Sequence, residues 1–122
     1  MKNTVKIGDK KIYNFVVNKS DVASFQGKTV HHVCATFVLA REIEWSTRLF
    51  VIDITEEDEE GVGTMLDIKH KSPAFVGDTV KIEAEVMSFE NNELLCNYAA
   101  KVGDRLVATG QTGQKILKKD KI

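Results

Sequence analysis

Cysteine is scarce in this chain of 122 residues: only Cys34 and Cys96 occur, one in a helical stretch and one in a strand-like stretch. Two buried free thiols acting as small apolar residues are expected, with a Cys34–Cys96 disulfide as the alternative. No basic-then-apolar leader opens the sequence, and the expected compartment is the reducing cytoplasm. An excess of one charge is also missing, since 17 basic side chains face 18 acidic ones. Beyond Lys118, Lys119 and Lys121 there is no basic cluster, which argues against a nucleic acid or an anionic membrane as partner. The unbroken apolar runs are too short to span a bilayer. What remains is a small molecule or another protein.

The length fits one domain, 1–122, with a real core and little room for a second. Its longest apolar stretch, Cys34 to Ile52, contains no proline or glycine. Phe37, Leu39, Ala40, Ile43, Leu49 and Phe50 recur there at helical spacing, and Arg41, Glu44 and Arg48 form a separate polar stripe. A helix ending near Asp53 follows, buried against protein. Before it, Lys11–Val17 reads as a strand after the Gly8-Asp9 turn, and 18–32 reads as a polar connection or lid. After it, the acidic run 56–60 reads as a solvated turn rather than a metal site.

Past Gly61 the period changes to two. Thr64, Leu66, Ile68 and His70 fall on one face of a strand, and Met65, Asp67, Lys69 and Lys71 on the other. The only proline, Pro73, stands in the break before Val80, Ile82, Ala84 and Val86, which alternate with Lys81, Glu83 and Glu85. Asn91-Asn92 and Gly103-Asp104 mark hairpins into Glu93–Val102 and Leu106–Leu117, with a frayed charged tail at 118–122. The order is strand, long helix, then four strands as a meander. The expected class is α+β, one central helix wrapped by a curved antiparallel sheet.

Local motifs stand along this frame. Ala35-Thr36 is followed, eight residues after the threonine, by Glu44-Trp45; Gly63-Thr64 precedes His70 by seven residues from the glycine; Pro73 and Gly77 form a Pro-x-x-x-Gly turn. In this order and at these spacings the sequence resembles the hotdog-fold acyl-CoA thioesterases similar to fluoroacetyl-CoA thioesterase. The resemblance covers nearly the whole chain. It implies a catalytic set of Thr36, Glu44 and His70, with Gly63 as a backbone contributor, and it places Gly27 and Val30 where bulkier aromatic residues gate the acyl pocket. In the last strand, Thr112-Gly113-Gln114 replaces a His-Glu-Arg run of the relatives. Hydrolysis of a small or short-chain acyl-CoA is implied, without a cofactor or metal, because coenzyme A enters as part of the substrate.

These residue types suit that chemistry. Thioester hydrolysis needs an activated water or hydroxyl, donors for the oxyanion and a proton for the departing thiolate. His70 and Glu44 can carry the protons, and Thr36 can attack or position. Amides at the helix N-terminus or near Gly63 can hold the oxyanion. Read singly, Thr36 is a helix cap, His70 a rim residue and Glu44 a solvated helix residue. Trp45 reads as packing, and Arg41 and Arg48 either meet CoA phosphates or pair with Glu42 and Glu44. His31 and His32 beside Cys34 lack a fourth ligand for a metal. A non-catalytic ligand-binding module of the same fold is the alternative; a hydratase would carry an Asp-x-Asn-Pro-x-x-His-like segment, which is absent.

On one straight helix, Thr36 and Glu44 stand roughly 12 Å apart and about 80° around the axis. Either Thr36 lies on a lead-in that folds back, or two chains share the site. A homodimer is expected, with a dimer of dimers left open.

Overall fold

The computed structural model describes the backbone of all residues except 26–27 and the side chains of all except 23–32. Gly27 and the side chains of Val30, His31 and His32 therefore lie outside the described residues. Strand β1 (Lys10–Val16) leads through a short 3-10 turn (Lys19–Asp21) into β2 (Val22–Phe25) and β3 (Lys28–Cys34). Helix α1 (Thr36–Ile54) follows, then β4 (Glu59–His70), β5 (Thr79–Glu90), β6 (Glu93–Val102) and β7 (Arg105–Lys118). The five long strands form one antiparallel sheet in the order β1-β5-β6-β7-β4, and β2 and β3 pair separately. The polar stretch before the helix thus contains a hairpin, where its composition suggested only a connection.

The meander is β5-β6-β7 alone. Strand β4 does not pair with β5, its successor in sequence; the chain crosses from one side of the sheet to the other between Lys71 and Asp78, leaving β4 on β7 at one edge and β1 on β5 at the other. The crossing is tied at both sides: Cys34 N donates to Ala74 O at 2.7 Å, and Lys71 N donates to Val107 O at 2.7 Å. The Asn91-Asn92 hairpin forms as expected, both residues having positive φ of 53° and 63°. Asparagine tolerates that left-handed backbone and matches the turn twist to the strands.

The helix begins two residues later than its apolar run. Cys34 closes β3 and Ala35 is the N-cap. One stripe of α1, with Val38, Leu39, Ile43, Phe50, Val51 and Ile54, is buried against the sheet. The facing rows are Val80, Ile82, Ala84 and Val86 of β5 and Leu94, Cys96, Tyr98 and Ala100 of β6. Burial of that size is the main stabilising term in such a domain. The opposite stripe stays open: Phe37 is 62% exposed and Trp45 42%. Phe37 thus lies on the polar side rather than with the core residues. Both cysteines are free and buried; burial above all pushes the Cys34 thiol up to about 11 and the Cys96 thiol up to about 12. No helix is long and apolar enough to cross a membrane among the described residues.

Strand β4 carries Gly63 and, at its end, His70, and is pinned between them. The buried Tyr98 hydroxyl donates to the Asp67 carbonyl at 2.7 Å, passing over Gly110. A Cβ on Gly110 would overlap that carbonyl oxygen. Replacement of a strand glycine by alanine ordinarily helps the unfolded-state balance. Here Gly110→Ala is expected to cost about 2–3 kcal/mol through backbone displacement, read as a lower urea midpoint at unchanged m-value; an unchanged midpoint would contradict the packing.

Candidate active site

Thr36 is the first residue of α1, but it does not cap it. The N-cap is Ala35, with no side-chain cap bond. The Thr36 hydroxyl instead lies 3.1 Å from His70 Nδ1, and both residues are exposed. With the ring proton on Nε2 the hydroxyl donates to Nδ1; with the proton on Nδ1 the ring donates to the hydroxyl oxygen. Either way Nε2 faces away from the threonine and has no partner among the described residues. The amides of Thr36 and Phe37 have no acceptor among the described residues, while those of Val38 and Leu39 close onto Ala35 O. An uncapped helix N-terminus therefore lies beside the Thr36–His70 pair, with N–H groups and the positive end of the helix dipole open to an anion.

Glu44 sits two turns along the helix, beside Gly63 of β4. A Cβ on Gly63 would lie 3.6 Å from Glu44 Oε1. The two residues line a shallow cleft of about 210 Å³ together with Arg41, Trp45, Arg48 and Gln114. Arg48 is not Glu44's partner: it bonds Glu60 Oε1 at 2.7 Å and the Gly61 carbonyl at 3.1 Å. Arg41 is half-committed at most, 3.8 Å from Glu42 and 4.0 Å from Asp21. Among the described residues Glu44 makes no ion pair, although Arg41 and Arg48 line the same cleft. Trp45 lines this cleft rather than packing in the core. A smaller cavity of about 160 Å³ between β1 and the far end of α1 contains none of these residues and is spanned by a Lys11–Asp53 ion pair.

Gln114, which the sequence marks only as part of the run that replaces His-Glu-Arg, also lines the cleft. It is buried, pairs across the ladder with Gly63, and donates through Nε2 to Thr47 Oγ1 at 3.0 Å. A weaker contact reaches the Glu44 carbonyl at 3.5 Å. A long polar side chain on the inward parity of a strand, between Thr112 and Ile116, was its available signal.

The four motif residues therefore form two pairs, Thr36 with His70 and Glu44 with Gly63. Two helical turns separate them on one side, roughly 12 Å, and seven strand residues on the other, roughly 20 Å. Because Thr36 is helical from its own position onward, no folded-back lead-in closes that gap. No group of three or more metal-binding side chains converges among the described residues.

A family model for fluoroacetyl-CoA-specific thioesterase (FlK) matches residues 17–120. The chain belongs to that family. No curated protein matches it significantly. Among solved structures, a hypothetical protein of Thermus thermophilus, described as a thioesterase superfamily member, is 27% identical with a TM-score of 0.92, over 98% of this chain and 88% of that one. The fluoroacetyl-CoA thioesterase FlK is 22% identical with a TM-score of 0.90, over 98% of this chain and 93% of its own. A hot-dog-like protein from Thermanaerovibrio acidaminovorans is 20% identical with a TM-score of 0.85, over 93% and 84%. The architecture is the hotdog fold, as the motif order implied.

The thioesterase-family cleft offers a direct check, because Trp45 is the only tryptophan in the chain. A methyl group on Gly63 meets Glu44 at an ordinary contact distance, so Gly63→Ala is expected to change stability by less than about 0.5 kcal/mol. The same methyl narrows the cleft floor. Titration of Trp45 fluorescence with a non-hydrolysable acyl-CoA analogue is expected to show about tenfold weaker binding; wild-type affinity would remove Gly63 from the site.

Proposed function

We propose that the protein is an acyl-CoA thioesterase that hydrolyses a small or short-chain acyl thioester to the free acid and CoA, and that each active site is assembled from two copies of the chain. The observation that carries this reading is the Thr36–His70 hydrogen bond at 3.1 Å, an exposed hydroxyl and imidazole beside an uncapped helix N-terminus. That grouping supplies a proton carrier and oxyanion donors, and it lacks only a base for water. Glu44, held in its cleft without an ion pair, is that base.

A second copy brings the two pairs together. Strand β4 is a twelve-residue edge strand, with Met65 and Leu66 partly exposed along it. Long open edges are normally covered. Antiparallel pairing of β4 with β4 of a second copy, about a two-fold axis at Asp67 and with Thr64 left out of the ladder as it is opposite β7, sets Gly63 of one chain opposite His70 of the other. Both helices then stay on the same side of the joined sheet. Phe37 and Trp45, on the open stripe of α1, are covered by the same association.

In this scheme Glu44 of one chain takes a proton from water, whose oxygen bonds to the thioester carbon. The amides of Thr36 and Phe37 hold the developing oxyanion. The carbon–sulfur bond then breaks, His70 gives a proton to the thiolate, and the proton that Glu44 took from water returns to His70, so both groups end as they began. The Thr36 hydroxyl orients the ring and the water; as a hindered secondary alcohol it is a poor nucleophile, so no acyl-enzyme forms. Arg41, exposed at the cleft rim, is the residue to which this reading gives a CoA phosphate. No cofactor enters. The relatives support the substrate class: one FlK structure, of a point variant 22% identical to this chain with a TM-score of 0.89, holds fluoroacetate and CoA.

The test is thiol release over a panel from acetyl- to octanoyl-CoA. His70→Ala and Glu44→Ala are each expected to lower kcat about a hundredfold or more at unchanged melting temperature. Thr36→Ser is expected to stay active, and rapid-quench mass spectrometry is expected to show no acyl adduct on Thr36. Wild-type turnover in either alanine variant would overturn the scheme. CoA-thioester binding without any thiol release would instead establish the non-catalytic module.

A further inference from the structure

Gly63 and His70 are seven residues apart on one strand, and on a regular strand residues an odd number apart face opposite sides of the sheet. Here both face α1, one at Glu44 and the other at Thr36. The reversal comes from a β-bulge. Gly63 pairs with Gln114 and Met65 with Gly113, so Thr64 is an extra residue with no partner of its own. From Met65 onward the inward residues are Leu66, Ile68 and His70, while Thr64 has left their face. The regular alternation expected from the sequence placed Thr64 with them; the bulge puts it on the outer surface.

The bulge is held by side chains on that outer surface. Thr64 Oγ1 donates to Glu93 Oε2 at 2.5 Å, across two strand spacings from β4 to β6. The path lies over Gly113 of the intervening strand, where a Cβ would stand 2.6 Å from Thr64 Oγ1 and 3.4 Å from Glu93 Oε2. Three residues on three strands thus fit one another: an extra threonine, a bare position to lie on, and a carboxyl oxygen to accept its hydrogen bond. The bond to an ionised acceptor is of the stronger kind. Bulges re-aim side chains and end regular pairing, which is the use made of this one.

We propose that Thr64 and Glu93 are positioning residues, a clamp on the outer face of the sheet that fixes the bulge and thereby turns both Gly63 and His70 toward the helix. The role in turnover rests on the proposed function; the clamp itself does not. Neither side chain touches the cleft, so their effect on chemistry passes through the strand. A slip of β4 by one residue would turn either Gly63 or His70 to the outer surface. Misplacement of that kind lowers kcat much more than substrate binding.

The experiment combines kinetics with backbone NMR on the full chain. Thr64→Val keeps the shape and removes the hydroxyl; Glu93→Ala removes the acceptor; Gly113→Ala pushes the hydroxyl off its path. Each is expected to lower kcat about tenfold with KM changed less than about threefold, and the Thr64→Val, Glu93→Ala pair to be no worse than either alone. Thr64→Ser and Glu93→Gln, which restore the bond, are expected to recover at least half of the wild-type kcat. In Thr64→Val the amide resonances of Gly63 and His70 are expected to broaden or double as the register slips, and in Thr64→Ser to remain single and sharp. Wild-type kcat in Thr64→Val, or a loss not recovered by serine, would overturn the proposal. If the wild-type protein hydrolyses no thioester, the proposed function falls and the resonances decide alone: doubling in Thr64→Val upholds the clamp, and native single resonances overturn it.

Discussion

Everything near the candidate site depends on one count along β4. A strand turns successive side chains to opposite faces, so Gly63 and His70 can meet the same helix only if one residue between them is left out of the ladder. Thr64 is that residue. Its removal from the alternation lets β4 serve α1 twice, at Glu44 near one end and at Thr36 near the other. Tyr98, reaching over Gly110 to the Asp67 carbonyl, holds the strand at its middle from the inner side, while Thr64 and Glu93 grip it from the outer side.

The helix shows the complementary constraint. Its buried stripe packs on the sheet and its other stripe leaves Phe37, Trp45 and Glu44 open. Under the middle of α1 the core is not wholly apolar: Ser46, Thr47, Thr112 and Gln114 are buried there, and Gln114 ties β7 to the helix through Thr47. A buried amide needs its partners, and this one finds them on the turn that carries Glu44. The polar core and the cleft are therefore one construction. Thr112 Oγ1 is buried without a well-formed hydrogen bond among the described residues, set between Leu66 and Cys96 in the ladder, with the Cys96 thiol as its polar neighbour.

Much of this was readable from local chemistry. The helix, the Asn91-Asn92 hairpin and the alternation of Val80 to Val86 follow from periodicity and turn residues, and the spaced Ala-Thr, Glu-Trp and Gly-Thr pairs gave the family. Three features were not. A bulge leaves no periodic trace, because Thr64 fits an unbroken alternation as well as an extra position. The neighbour of β4 is set by the chain's crossing over the sheet between Lys71 and Asp78 rather than by sequence order, so the meander reading joined β4 to β5. Thr36 is the type of residue that caps helices, and only tertiary geometry shows Ala35 in that place and the hydroxyl given to His70. That last fact also changes which residues can meet across two chains: Thr36 and His70 are partners within one.

In the proposed enzyme, one site needs Thr36 and His70 from one chain and Glu44 from another. Mixing inactive Glu44→Ala protein with inactive His70→Ala protein, under conditions where subunit exchange is confirmed by mass spectrometry, tests it most directly. Half of the dimers formed at random carry one intact site of two, so about a quarter of wild-type activity is expected to return. A mixture of Thr36→Ala and His70→Ala, whose residues lie on the same side of the site, is expected to return none. Recovery in that second mixture but not in the first, or a protein that stays monomeric in sedimentation while fully active, would contradict the account.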